Sequence, residues 1–144
     1  MPIYLILNTV ALFAIHFSWK KGDRITLLQS IGLGLGVVLG GFESFQIKMA
    51  GMFLFTLSAI LLSITSFKNS KMSLWHRFIS ISSGIMTIIV NSFEFLHFPY
   101  ANELNLAVFI PILAYVSGLF TGFVKEEAFG NVTLINTLLL LRFF

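Results

Sequence analysis

Residues 24–46 read RITLLQSIGLGLGVVLGGFESFQ, and residues 49–68 read MAGMFLFTLSAILLSITSFK. Each stretch is apolar for about 20 residues, long enough to cross a hydrocarbon core about 30 Å thick at about 1.5 Å per helical residue. Outward from these two, the pattern repeats along the chain. Apolar runs alternate with short polar breaks such as KKGDR (20–24) and KNSK (68–71), and no interval is long enough for a separate soluble domain. The fold class this predicts is all-α: a polytopic transmembrane helical bundle of five or six helices, forming a single integral membrane domain over residues 1–144.

Composition agrees with that class. Apolar residues make up 57% of the chain and charged residues 10%, against about 25% charged in water-soluble domains. The mean hydropathy is +0.93, so there are too few charges to coat a water-facing shell. The opening MPIYLILNTV has no Lys or Arg before its apolar run and no small-residue cleavage site, so the first run is expected to stay as an anchor rather than be removed. With no Cys, disulfides, thiolate metal sites, thiol catalysis and S-palmitoylation all drop out. The basic residues are scattered singly at helix ends rather than gathered into a face, so no nucleic acid partner is expected.

Breakers place six helical segments at about 3–19, 24–46, 49–68, 73–98, 103–124 and 130–144. Pro99 follows the fourth, Gly22 and Gly130 sit in other breaks, and Pro111 should kink the fifth without ending it. The last segment, 14 residues from Asn131 to Phe144, fits a re-entrant or interfacial helix as well as a full crossing. If the breaks alternate sides, Lys20, Lys21, Arg24, Lys68, Lys71, Arg77 and Lys125 fall on one side, and Lys48 and Arg142 on the other. Cytoplasmic loops are enriched in Lys and Arg, which predicts an N-terminus outside. A shift of 51 residues aligns Phe42-Glu43 with Phe93-Glu94 and Ala50 with Ala101, the pattern of a parallel internal hairpin repeat.

Three constellations carry the functional expectations. Gly32, Gly36 and Gly40 stand at four-residue spacing, continued by Ser44, and predict close helix packing within the chain or against another copy. Ser80, Ser83, Thr87, Asn91 and Glu94 fall at steps of three or four along the fourth helix, making a polar stripe that ends in a carboxylate. Glu43, seven residues beyond Gly36, is placed on the glycine face. Ionisable residues inside membrane helices are costly and usually face an interior or a water-filled cavity. Glu43 and Glu94 therefore read either as proton or cation ligands on a pathway or as interfacial groups, with Lys48 a structural partner.

Glu94 and His97 share the E-x-x-H spacing of di-iron bundles, but the second such pair is missing; with Glu103 and Glu43 they form at most a one-cation set at the outer surface. His16 and His76 read as interfacial histidines beside Trp19 and Trp75 rather than as haem ligands. Lys125-Glu126-Glu127 reads as a solvated loop, and no hydroxyl stands in a nucleophile elbow. No catalytic residue, cofactor or resident metal is assigned, and an enzyme is not expected.

The stretch Phe93-Glu94-Phe95-Leu96-His97-Phe98-Pro99-Tyr100 resembles the F-K-x-x-H-W-P-G signature of the inner-membrane subunit of the gliding-motility and type 9 secretion motor. Phe93, His97 and Pro99 match, while Glu94 stands for Lys, Phe98 for Trp and Tyr100 for Gly. That family's long cytoplasmic tail has no counterpart in these residues. The resemblance implies a related membrane hairpin in a bacterial cytoplasmic membrane, and not motor function.

The reading as a whole is a small transporter-like or channel-like membrane protein handling a proton, cation or small solute. Glu43, Glu94 and His97 would bind, and Asn91, Thr87, Ser83 and Ser80 would line the route. The alternative is a non-catalytic scaffold or assembly subunit docking through Gly32, Gly36 and Gly40. Expected partners are membrane lipid and either a second copy or a membrane partner subunit.

Overall fold

Short polar breaks become tight connections because side chains cap the helices that follow them. Asp23 Oδ1 accepts from Thr26 N at 2.8 Å and from Thr26 Oγ1 at 2.9 Å, satisfying one of the orphan donors at a helix start. Ser73 Oγ accepts from His76 N at 3.2 Å in the same way. The computed structural model describes residues 2–96 and 101–141. Among the described residues there are six α-helices and no strand: α1 Pro2–Lys21, α2 Arg24–Gly40, α3 Phe45–Lys68, α4 Leu74–Phe95, α5 Ala101–Phe120 and α6 Phe129–Leu141. A short 3-10 turn at Phe123–Lys125 precedes α6, and it is entered through Gly122 at φ 87°, a left-handed conformation that favours glycine.

One predicted boundary is corrected. The second helix does not reach residue 46: α2 stops at Gly40, and Phe45 and Gln46 open α3. Two adjacent glycines each cost about 1 kcal/mol relative to Ala in a helix. The chain tightens there, with Gly41 N donating to Val38 O and Phe42 N to Leu39 O, both at 3.2 Å. Glu43 therefore lies in an exposed turn and leaves the glycine face. Pro111 lies inside α5, which continues through it.

The last helix is also not peripheral. α6 packs against α1, α2, α4 and α5, making it the centre of the bundle, while α3 closes the side between α2 and α4. Val132, Leu134, Ile135 and Leu139 are fully buried, and the amides of Asn131 and Asn136 are buried with them. A short apolar run looks interfacial by length alone. Here its 13 residues, about 20 Å of helix, serve as the core around which the others stand.

Small residues set the closest approaches. A Cβ on Gly36 would stand 2.8 Å from Phe55 Cβ and 2.9 Å from Gly51 O, and one on Gly32 would overlap Ser58 Oγ. The glycine face of α2 is thus covered by α3 of the same chain. A Cβ on Gly40 would meet nothing within 4 Å, although a Cβ on Gly51 would stand 2.6 Å from Gly40 N. Elsewhere, Gly130 backs onto Ala14, joining α6 to α1.

Large apolar side chains are exposed on the outer faces while several polar ones are buried alongside the apolar core. Leu5, Leu12, Leu28, Phe53 and Leu113 are each at least 60% exposed, whereas Ser18, Gln29, Ser30, Ser83, Thr87, Asn131 and Asn136 are buried. Extended apolar surface marks contact with another apolar phase or partner. Two helices, Ile3–Lys21 and Phe45–Lys68, are long and apolar enough to cross a membrane.

Candidate functional site

The helix connections at 22–23, 69–73 and 121–128 lie at one end of the bundle, with Lys20, Lys21, Lys68, Lys71 and Lys125 near them. This basic end contains a hydrogen-bond chain through four helices. Ser18 Oγ of α1 lies 2.5 Å from Ser30 Oγ of α2, and Ser30 Oγ lies 2.5 Å from Asn131 Oδ1 of α6. Asn131 Nδ2 donates to Thr26 O and Gln29 Oε1, each at 3.3 Å, and Gln29 Nε2 donates to Thr65 Oγ1 of α3 at 2.9 Å. Asn131 and Gln29 are 0% and 2% exposed, so these bonds replace the water that burial removes. Above them opens a cavity of about 510 Å³, walled by Asp23, Gln29, Thr65, Lys68, Lys71 and Glu127 among others. Asp23 remains a carboxylate there, because the Thr26 N–H holds its carboxyl below the ordinary value.

At the opposite end, a cavity of about 240 Å³ is walled by Tyr4, Gly36, Gly40, Lys48, Asn91 and Glu94, with Leu138 and Leu141 of α6 behind them. Asn91 is held by its Nδ2, which donates to Thr56 Oγ1 at 2.9 Å. A missing side chain helps form this space: Gly40 offers none on the cavity side.

Both cavities share the α2–α3 seam. On α2 the first reaches Gln29 and the second Gly36; on α3 they reach Leu62 and Phe55. Each interval is seven residues, about 10 Å of helix. It contains Gly32 and Leu33 on one helix and Ser58 and Ala59 on the other, all buried. Leu33 and Ala59 are fully buried between the two openings, while Gly32 and Ser58 also line a third cavity of about 310 Å³ along the same seam, walled by Leu28, Leu35, Leu54 and Leu61.

The residues singled out from sequence divide accordingly. Ser80, Ser83 and Thr87 are fully buried and Asn91 is 9% exposed, so the α4 stripe faces the interior. Ser83 Oγ accepts from Asn136 Nδ2 of α6 at 2.9 Å, and Thr87 Oγ1 donates to Ser83 O at 2.9 Å. Glu94 is exposed in the last turn of α4 and reaches the second cavity with Lys48, whereas Glu43 does not line it. His97 lies outside the described residues, as do Phe98, Pro99 and Tyr100. Gly32 and Gly36 pack on α3, and Gly40 borders the cavity. Among the described residues, no three of His, Asp and Glu gather into a metal-binding group.

Several residues were missed. Gln29, Ser30, Asn131 and Asn136 carry most of the buried polar bonding, and the signal that marks them is an amide or hydroxyl isolated in an apolar run. Asn136 Oδ1 is buried without a hydrogen-bond partner among the described residues. Glu126 is not part of a purely solvated loop: its Oε1 lies 2.6 Å from His76 Nδ1. His76, 8% exposed, also lies 3.3 Å from Thr121 Oγ1, tying the start of α4 to the α5–α6 connection.

Comparison of the chain with protein-family models, characterised proteins and solved structures found no match. The geometry of the two cavities is therefore the basis for a functional reading.

Proposed function

We propose that this chain is a polytopic membrane protein whose six helices enclose a transport or conduction pathway for a small polar solute or ion. The observation that carries the reading is the pair of cavities bordering one helix seam at opposite ends, seven residues or about 10 Å of helix apart, with a third cavity along the seam between them. Apolar side chains on the outer faces would meet lipid, and the buried amides and hydroxyls are the groups a dry lipid phase would not tolerate. Positive charge concentrated at one end supports a reading with that end in the cytoplasm and the N-terminus outside.

In this reading a solute enters from the basic end and exchanges hydration for contacts with Gln29 and Thr65. It then passes the level of the buried Leu33 and Ala59 and leaves past Asn91, Glu94 and Lys48. The seam suits such motion because Gly36 meets Gly51 and Phe55 largely through backbone and Cβ atoms, so α2 and α3 can shear without unlocking long side chains. Directional transport would need the solute to bind the inward-open and outward-open arrangements with different affinity. In the alternative, a non-catalytic scaffold, docking would have to use Gly40 or another surface, since α3 covers Gly32 and Gly36.

The test is flux in liposomes containing purified protein, measured for protons, Na⁺, K⁺ and small zwitterions. Wild-type flux that falls on Glu94→Gln and on Gln29→Leu supports the pathway. No flux for any of these in folded wild-type protein would reject it.

A further inference from the structure

The basic-end cavity has a charge arrangement that the pathway reading does not use. Lys68 and Lys71 come from the end of α3 and the connection after it, while Asp23 and Glu127 come from the α1–α2 and α5–α6 connections. Asp23 and Glu127 belong to neighbouring elements, because Asn131 at the start of α6 bonds to Thr26 O in the first turn of α2. The cavity is thus bordered by two cations from the α3 end and two carboxylates from the α1–α2 and α5–α6 connections, with no net charge among the four.

The floor adds directional recognition. Gln29 is anchored through both amide atoms, receiving a hydrogen bond from Asn131 on Oε1 and giving one to Thr65 from Nε2. A primary amide offers two N–H donors and two lone pairs, so one of each remains on a side chain that borders the cavity and is otherwise almost closed off. Asn131 fixes that geometry, because both its N–H groups are spent on Thr26 O and Gln29. The volume, about 510 Å³, lies within the range of about 300–1,000 Å³ for small-molecule sites.

We propose that the basic-end cavity binds a small zwitterion, a molecule carrying an ammonium group and an acidic group within one amino-acid-sized frame. The acidic group faces Lys68 and Lys71, the ammonium faces Asp23 and Glu127, and Gln29 takes a polar group between them. A net anion meets the two carboxylates and a net cation meets the two lysines, so each loses on one wall what it gains on the other. This names the substrate class of the proposed pathway and rests on that reading. The same chemistry is carried by free amino-acid-like solutes and by the headgroup of a zwitterionic lipid.

The experiment uses the full chain in nanodiscs of pure phosphatidylglycerol. Equilibrium binding is measured for glycine, L-alanine, L-glutamine and glycerophosphoethanolamine, with succinate and putrescine as single-sign controls. Saturable binding of a zwitterion at least about tenfold tighter than either control is expected, weakening about tenfold in Lys68→Glu/Lys71→Glu. Glu127→Gln, an exposed position, gives a second weakening without touching the core. If adding phosphatidylethanolamine to the nanodisc abolishes binding of the soluble zwitterion, the occupant is the lipid headgroup, which supports the class. Succinate or putrescine binding as tightly as every zwitterion, or no saturable zwitterion binding in phosphatidylglycerol, overturns the proposal. Zwitterion binding without flux would remove the pathway and keep the site, whereas cation flux without zwitterion binding would keep the pathway and remove the site.

Discussion

Three glycines at equal spacing on α2 should respond very differently to the addition of a single methyl group. At Gly36 the new Cβ would lie 2.8 Å from Phe55 Cβ, 2.9 Å from Gly51 O and 3.0 Å from Phe55 Cα. Ordinary contact begins near 3.4 Å, so α3 must retreat by 3.4 minus 2.8, or 0.6 Å, and none of the three atoms can swing away by a side-chain rotation. Overpacking of that kind costs about 1–3 kcal/mol, offset by about 0.8–1 kcal/mol for removing a glycine from a helix. Gly36→Ala is therefore expected to destabilise by about 1 kcal/mol net. Gly40→Ala meets nothing within 4 Å, which leaves only the propensity gain, at most about 1 kcal/mol of stabilisation at a helix end. Gly32→Ala should fall between them, because its obstacle is the Ser58 hydroxyl, which can rotate away at the expense of its 3.0 Å bond to Leu54 O. Reversible unfolding of the three variants in mixed micelles measures the order. Equal losses at Gly36 and Gly40 would refute the assignment of the seam to the Gly36 level.

Other variants probe the polar interior and its ends. Asn131→Leu removes three buried hydrogen bonds, worth about 0.6 kcal/mol each in a membrane; the same unfolding assay should show a loss of about 2 kcal/mol. Asp23→Ala should cost about 1 kcal/mol through loss of the α2 cap, while Asp23→Asn keeps most of it. Asp23 in the folded protein titrates below its ordinary value because of the Thr26 N–H, so its stabilisation is present above about pH 4 and fades as pH falls through the lower folded value. A pH titration of stability should show that acid-side loss in wild type and a smaller one in Asp23→Asn. Removing the 2.6 Å contact in Glu126→Ala should raise amide exchange at 121–128 with little change in α6; unchanged exchange there would count against His76–Glu126 as a tie.

The helices were legible because apolar runs alternate with short breaks such as 20–24 and 68–71; the caps that Asp23 and Ser73 supply there were not singled out. The end of α2 was missed although Gly40-Gly41 is a turn signal, because the apolar run continues through it. The central place of α6 was hidden for a different reason: only packing partners distinguish a short buried helix from an interfacial one. Within the site, the spacing of Ser80, Ser83, Thr87 and Asn91 correctly put them on one face, and that face is buried. Charge drew attention to Glu43, which the turn leaves exposed, and away from Gln29 and Asn131, whose neutral amides organise the basic end. Glu126 looked solvated because its partner, His76, is 50 residues away in sequence.

The central claim is that two water-filled openings approach each other from opposite faces of a membrane. With no native Cys, Thr65→Cys in the basic-end cavity and Asn91→Cys in the other can be made directly and treated with a membrane-impermeant thiol reagent from one side at a time. The account predicts that Thr65→Cys is labelled only from the cytoplasmic side and Asn91→Cys only from the outside. Labelling of both from the same side, or of neither in folded protein, would contradict it.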